Sequence, residues 1–205
     1  MPVSPDAYLE ERKAEILAAA RAVFIRHGFE RATMQEIADE VGLSAGAIYR
    51  YFPSKESLIT IVCASTGAEN MRAFEEYEDG DGALDLLIQG GREVWAGLLD
   101  ADALDTARIN VEATVAAMRH PETIGEPLRE EMNGVREHIA AVVRRAQSEG
   151  SIDPAVDAAA LGSLLLAMTL GTQMLMVQMS GDVDADAIWQ LTTRMVRGFG
   201  PAAQR

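Results

Sequence analysis

The sequence of 205 residues contains a single cysteine, three histidines and few aromatic residues. Cys63 has no second cysteine with which to form an internal disulfide, which is typical of a protein kept in the reducing cytoplasm. Aromatic residues make up only 5% of the chain, and Ala, Leu, Met, Glu and Arg are abundant. Because these residues form helices more readily than strands, the composition predicts an all-α protein.

The sequence also lacks the motifs of catalytic and metal centres. Four residues could ligate zinc but share no ligand spacing: His27, Cys63, His120 and His138. The run Asp182-x-Asp184-x-Asp186 resembles the start of a calcium loop, but Ala187 and Thr193 stand where that loop needs glycine and glutamate. Helix capping explains these aspartates better. No nucleophile elbow, phosphate loop or dinucleotide fingerprint is present, so we predict no catalytic residue, metal or cofactor.

Long apolar segments are equally scarce. Met1–Arg12 has no apolar stretch and predicts no secretion signal. Residues 158–181 contain no charged side chain, a length that would suffice for a membrane span. This stretch nevertheless includes polar residues such as Thr172 and Gln173, and no Lys or Arg closely flanks it. We therefore predict a helix buried on all sides, with one face on its own subunit and the other on a partner.

Lys and Arg are fewer than Asp and Glu, and the charged residues are unevenly distributed along the chain. The net charge is −14, which excludes a general coat for nucleic acid. Residues 1–60 carry seven Lys and Arg against nine Asp and Glu, whereas residues 61–205 carry eleven against twenty-three. The N-terminal quarter is thus nearly neutral, and any DNA binding must use a confined patch there.

That quarter has the pattern of three short helices. Ile16, Ala20, Val23 and Phe24 share one face of a first helix over about 6–26, which His27-Gly28 ends with a left-handed cap. Thr33-Met34-Gln35-Glu36 is a capping box that begins a second helix. Gly42 ends this helix, and Ser44 caps a third that runs from Ala45 to about Phe52. Two helices joined by so tight a turn predict a helix-turn-helix.

At this point the sequence resembles the TetR family of bacterial transcriptional regulators. The resemblance extends over Phe29–Leu58, FERATMQEIADEVGLSAGAIYRYFPSKESL, and is most specific in AIYRYFPSKE. It implies a dimeric regulator that reads an operator in double-stranded DNA. It also implies an N-terminal DNA-binding domain, taken here as 1–53, followed by a helical ligand-binding and dimerisation domain, 54–205.

The resemblance also implies which residues contact DNA. Four would lie near base edges: Gln35, Ala45, Gly46 and Ala47. Five would hold the DNA backbone: Thr33, Ser44, Tyr49, Tyr51 and Lys55. Arg50 could reach a phosphate or a guanine. Thr33 and Ser44 are helix caps with or without DNA, and Tyr51 could instead belong to the core.

Helical periodicity continues through the rest of the chain. Helices are predicted over about 54–77, 83–99, 104–119, 124–149, from the cap at Asp153-Pro154 through 158–181, and 185–199. Ile188, Leu191, Met195 and Phe199 form a stripe on the last helix. Paired with the uncharged helix, it predicts a homodimer through a four-helix interface.

An effector pocket is predicted among the body helices. Its candidate lining residues combine methionines and aromatics with a few polar groups: Met71, Phe74, Trp95, Asn110, Thr114, Met118, Met168, Thr172 and Met176. The same residues could instead be plain core. The sequence thus predicts a dimeric cytoplasmic repressor whose DNA affinity a small molecule changes. The alternative is a helical ligand-binding protein or enzyme with no DNA-binding role.

Overall fold

The computed structural model describes residues 5–64, 82–180 and 182–201, which contain helices and no strand. The helices are α1 (Pro5–Arg31), α2 (Met34–Val41), α3 (Ala45–Ile48), α4 (55–64), α5 (Ala83–Ala96), α6 (Ala103–Arg119), α7 (Glu126–Ser148), α8 (Ala158–Gln178) and α9 (Ala185–Gly198). One turn of π-helix, Pro121–Gly125, precedes α7. The all-α prediction is confirmed.

The chain forms two compact units, and two of the division points fall within α6 and α7. The first unit comprises Met1–Ser65 and Ile109–Arg129, and the second comprises Thr66–Arg108 and Glu130–Arg205. The predicted domain 1–53 lies within the first unit, which also takes in part of α6. The boundary at residue 53 stays a prediction.

The core of the first unit confirms the predicted face of α1. Ile16, Ala20 and Val23 are fully buried, and Phe24 meets Phe29 edge to face with ring centroids 4.9 Å apart. The larger side chains, Ile16, Val23 and Phe24, each contribute about 1.5–3 kcal/mol when removed from water. The core extends over the three N-terminal helices, α4 and the end of α6. These elements therefore hold α2 and α3 on a packed base.

Gly28 interrupts α1 where the sequence predicts an end, although helical hydrogen bonding resumes as far as Arg31. Its conformation differs from the predicted left-handed cap, because φ is 73° but ψ is 166°. This region is essentially restricted to glycine. The physical reason is the next peptide: the N–H of Phe29 donates to Oε2 of Glu112 at 2.6 Å.

The second unit packs α5, α7, α8 and α9 around buried aliphatic residues. The start of α5 is held by Glu149, whose Oε2 accepts from the backbone N–H of Ala83 at 2.7 Å. That hydrogen bond lowers the pKa of Glu149. α7 and α8 approach closely at Gly162, where a Cβ would lie 2.9 Å from the carbonyl oxygen of Arg136. Glycine at this position allows the close packing of the two helices.

Two predicted helix boundaries are wrong, the start of α8 and the end of α3. α8 begins at Ala158 with Asp157 as its cap, not after Asp153-Pro154. The Asp153 carboxylate instead accepts from the N–H of Ala155 in a local turn, so its capping signal belongs to a turn and not to the helix. α3 ends as an α-helix at Ile48 and continues only as turns to residue 51. Asp184 caps α9, as predicted.

The uncharged helix α8 is only partly covered within one chain. By length and composition alone α8 could cross a membrane, with a mean hydropathy of 1.7. Helices in the core of a soluble protein meet the same criterion. Thr172 and Gln173 face inward and are buried, whereas Leu164 and Leu175 are 43% and 44% exposed. One face therefore packs on the second unit, and the other is uncovered in the single chain.

Candidate DNA-binding surface

The start of α2 is fixed by a complete capping box. The N–H of Glu36 donates to Oγ1 of Thr33 at 3.2 Å, and the N–H of Thr33 donates to Oε2 of Glu36 at 2.8 Å. The Thr33 hydroxyl also donates to this carboxylate, at 2.9 Å. These bonds lower the pKa of Glu36. The predicted cap is confirmed, so Thr33 has a structural role before any DNA contact.

The turn between α2 and α3 has the geometry that the glycine predicted. Gly42 is left-handed, with φ 70° and ψ 31°, and its N–H donates back into the last turn of α2. Ser44 then caps α3 by accepting from the N–H of Ala47 at 3.2 Å. Ala38 and Ile48 are fully buried. The two helices are thus locked against each other as a helix-turn-helix.

α3 presents a small, open face to solvent. Gly46 is exposed, and a Cβ built on it would meet no atom within 4 Å. Tyr49 is 51% exposed and Arg50 is also exposed, whereas Ala45 and Ala47 are partly covered. A surface with so little obstruction suits the close approach of a base edge in the major groove.

Two further predicted contacts, Gln35 and Tyr51, differ from each other. Gln35 lies exposed on α2, and its Nε2 donates to Oδ1 of Asp39 at 2.7 Å. Tyr51 is half-buried and packs against the core of the first unit. Tyr51 therefore has a packing role, and its predicted contact with the DNA backbone stays a prediction.

Lys55 has an unexpected structural role. Its Nζ donates to the carbonyl oxygens of Phe29, Glu30 and Ala32 at 2.7, 3.2 and 3.1 Å. These three bonds use all the protons of the ammonium group. A direct hydrogen bond to a phosphate would require one of them to break, although the positive charge still adds to the local potential.

Comparisons with known proteins agree with this geometry. Residues 16–60 match the model of bacterial regulatory proteins of the tetR family, and residues 89–201 match that of the BetI-type transcriptional repressor C-terminal region. The chain belongs to the TetR family. It is a helix-turn-helix transcriptional regulator, as the sequence predicted.

Individual relatives of this TetR-family chain span most of its length. The HTH-type transcriptional regulator UidR of Escherichia coli strain K12 is 29% identical over 159 residues, which cover 78% of each chain. Salmonella enterica GusR is 25% identical, with a TM-score of 0.76 over 96% of this chain and 97% of its own. FadR from Bacillus subtilis, solved in complex with stearoyl-CoA, shares the fold at 19% identity, with a TM-score of 0.75 over 90% of this chain and 97% of its own.

Sequence reasoning missed the residues that hold the end of α1 in this regulator. Glu112 binds the N–H of Phe29, and Arg119 forms an ion pair with Glu30. Both side chains come from α6, more than 80 residues away along the chain. No local pattern marks either residue. Only the packing of α6 within the first unit brings them to the base of the DNA-binding helices.

The predicted effector contacts are divided between the two units. Asn110, Thr114 and Met118 belong to the first unit, and Met118 is 72% exposed. Trp95 and Met176 share one buried cluster in the second unit, where Thr172 is also buried. Met168 is partly buried on α8, and Met71 and Phe74 lie outside the described residues. The assignment of these residues to an effector pocket stays a prediction.

Proposed function

We propose that the protein is a cytoplasmic homodimeric repressor whose affinity for an operator in double-stranded DNA changes when a small-molecule effector binds. The observation that carries the proposal is the locked pair α2–α3, which leaves the face around Gly46 open. Two such faces in a symmetric dimer would read two half-sites. The BetI-type match favours repression over activation.

The proposed DNA contacts follow the geometry of this face. Gln35, Ala45, Gly46 and Ala47 approach base edges, and Arg50 reaches a phosphate or a guanine. The DNA backbone is held by five further residues: Thr33, Ser44, Tyr49, Tyr51 and Lys55. Because few of these side chains can read bases bidentately, DNA shape supplies part of the specificity.

The direct test is selection from a pool of random duplex DNA at low salt, followed by a gel shift with the enriched sequence. We expect a single palindromic site to be enriched and its affinity to fall steeply with salt, because phosphate contacts release counterions. The region upstream of the protein's own gene is the first natural sequence to examine. Enrichment of no sequence over the starting pool would overturn the proposal.

The uncovered face of α8 supports a homodimer. Exposed apolar residues lie along α8 and its C-terminal cap, with one more on α9: Leu164, Leu170, Met174, Leu175, Met179 and Leu191. Leu164 and Leu175 are three helical turns apart on one side of α8. An apolar surface of this kind is typical of an interface. The second copy would bury it and complete the four-helix arrangement that the sequence predicted.

Substitution of Leu175 by glutamate is expected to raise the dimer dissociation constant by about 100-fold, because the interface would bury an unpaired charge. Sedimentation velocity over a concentration series measures this constant. Leu99→Glu is the matched control, since Leu99 is 57% exposed and lies outside α8 and α9. If both variants have the same dimer dissociation constant as the unaltered protein, the dimer interface does not include Leu175.

Two observations support the proposal that an effector controls DNA binding. FadR from Bacillus subtilis, which shares this fold, binds stearoyl-CoA in its solved structure. In the present chain Trp95, Thr172 and Met176 are buried in the second unit, as effector contacts would be. We propose that the effector acts by favouring a conformation in which the two DNA-binding faces are spaced wrongly for the operator.

A further inference from the structure

α5 and α9 border an open cleft within the second unit. Its volume is about 470 Å³, within the range of small-molecule sites. Three of its lining residues are arginines: Arg92 on α5, and Arg194 and Arg197 on α9. The sequence gives no sign of this convergence, since about 100 residues separate Arg92 from the other two.

These three arginines lack the carboxylate partners that several other arginines have. Arg26, Arg108 and Arg119 each form an ion pair with a carboxylate. By contrast, within residues 5–64, 82–180 and 182–201, no hydrogen bond or ion pair reaches the guanidinium groups of the three cleft arginines. Three like charges that converge without a counter-charge favour an anion between them.

Two acidic residues on the bordering helices offset part of the charge of the three cleft arginines but are outnumbered by them. Asp186 on α9 accepts from Nε2 of Gln190, a cleft residue, at 2.7 Å. Glu93 follows Arg92 on α5 and has an interaction of its own. In a chain of net charge −14 this is a local excess of positive charge. The cleft can therefore hold an anion that the rest of the surface repels.

The remaining walls of the cleft suit the body of an organic molecule. Trp189 lines it, and its indole ring is held against Gly91, where a Cβ would lie 2.8 Å from the ring. Trp95 supports Trp189 from within, with ring centroids 5.7 Å apart. Oγ1 of Thr193, also a lining residue, is buried and has no hydrogen-bond partner in the described part of the chain. An apolar wall thus lies beside the three arginines.

We propose that this cleft binds a small organic anion. Arg92, Arg194 and Arg197 hold its carboxylate or phosphate group, because the planar guanidinium fork pairs with either one bidentately. Trp189 packs against its apolar body. The proposal depends only on the second unit and does not require the DNA-binding function.

The test uses the full-length protein and three probes of one shape: benzoate, phenyl phosphate and the neutral benzamide. Binding is measured by titration calorimetry and by quenching of the fluorescence of the chain's two tryptophans. We expect at least one anion to bind and benzamide not to bind. The tighter of the two anions identifies the class of ligand. Failure of both anions to bind in the millimolar range would overturn the proposal.

Substitutions distinguish anion binding in the cleft from non-specific attraction of anions to the protein. Arg194→Gln is expected to weaken anion binding about tenfold, because one charged hydrogen-bonding group is lost. Arg129→Gln removes the same charge from an exposed arginine outside the cleft and is expected to change nothing. Trp189→Phe should abolish most of the fluorescence response while calorimetry still detects binding. Equal losses in the Arg194 and Arg129 variants would overturn the proposal.

A second copy of the chain is the competing occupant of the cleft. If the partner's acidic side chains paired with the three arginines, Arg194→Gln would weaken the dimer in sedimentation velocity and the probes would not bind. That combination would overturn the proposal. Unchanged dimerisation together with weakened anion binding would support it.

Discussion

Replacement of Gly28 by alanine is expected to lower the free energy of unfolding by about 2–4 kcal/mol. Two costs combine at this position. With φ 73° and ψ 166°, the backbone lies in a region that side chains rarely allow, and a Cβ would lie 2.7 Å from Oε1 of Glu112. Either Glu112 moves and releases the N–H of Phe29, or the end of α1 changes conformation. Both outcomes loosen the base on which α2 and α3 pack.

Denaturant unfolding followed by circular dichroism measures this loss. Gly134→Ala is the matched control, because Gly134 lies within α7 and a Cβ there meets nothing within 4 Å. We expect the control to gain about 0.5–1 kcal/mol, the usual benefit of alanine over glycine in a helix. A Gly28→Ala protein that unfolds at the same denaturant concentration as the unaltered chain would contradict the strain assigned to this residue.

Features that depend on near neighbours in the chain were predictable from the sequence. The capping box at Thr33, the left-handed Gly42 and the cap at Ser44 each involve residues no more than four positions apart. Their hydrogen bonds follow from residue type and spacing alone. This local agreement explains why the helix-turn-helix and the family could be predicted.

Features that depend on tertiary packing were not predictable. Lys55 looked like a phosphate contact because lysine on a DNA-binding unit suits phosphate. In the fold its ammonium group meets the carbonyl groups at the end of α1, from residues 23 to 26 positions earlier. Glu112 is a further case, because only the packing of α6 brings it to Phe29. Residue type gives the chemistry of a side chain but not its partner.

The predicted helix boundaries show a second limit of prediction from sequence. The predicted start of α8 at Asp153-Pro154 rests on an Asp-Pro pair, which a local turn accommodates as well as a helix start does. The structure uses Asp153 in a turn and Asp157 as the cap, with Oδ1 accepting from the N–H groups of Ala159 and Ala160. Effector contacts are harder still, since methionine and tryptophan serve cores and pockets alike. The polarity and periodicity of the sequence therefore do not distinguish a core residue from an effector contact.

Substitution of Gly46 by glutamate is expected to weaken operator binding by about 100-fold or more without destabilising the fold. The new side chain has room in the free protein, because nothing lies within 4 Å of the Cβ position, and glutamate forms helix better than glycine. On DNA, however, it would place bulk and negative charge where α3 meets the groove. Loss of affinity with an unchanged melting temperature therefore reports on DNA contact alone.

The matched control is Gly134→Glu, which adds the same charge at an exposed glycine with equally open surroundings on α7. Fluorescence anisotropy with the selected operator measures both proteins, and circular dichroism follows their melting. We expect the control to bind within about twofold of the unaltered protein, because a distant surface charge acts only through the screened long-range field. Equal affinity of the two variants would show that α3 does not read DNA. The exposed face of this short helix would then have another role, and the proposed repressor mechanism would be wrong.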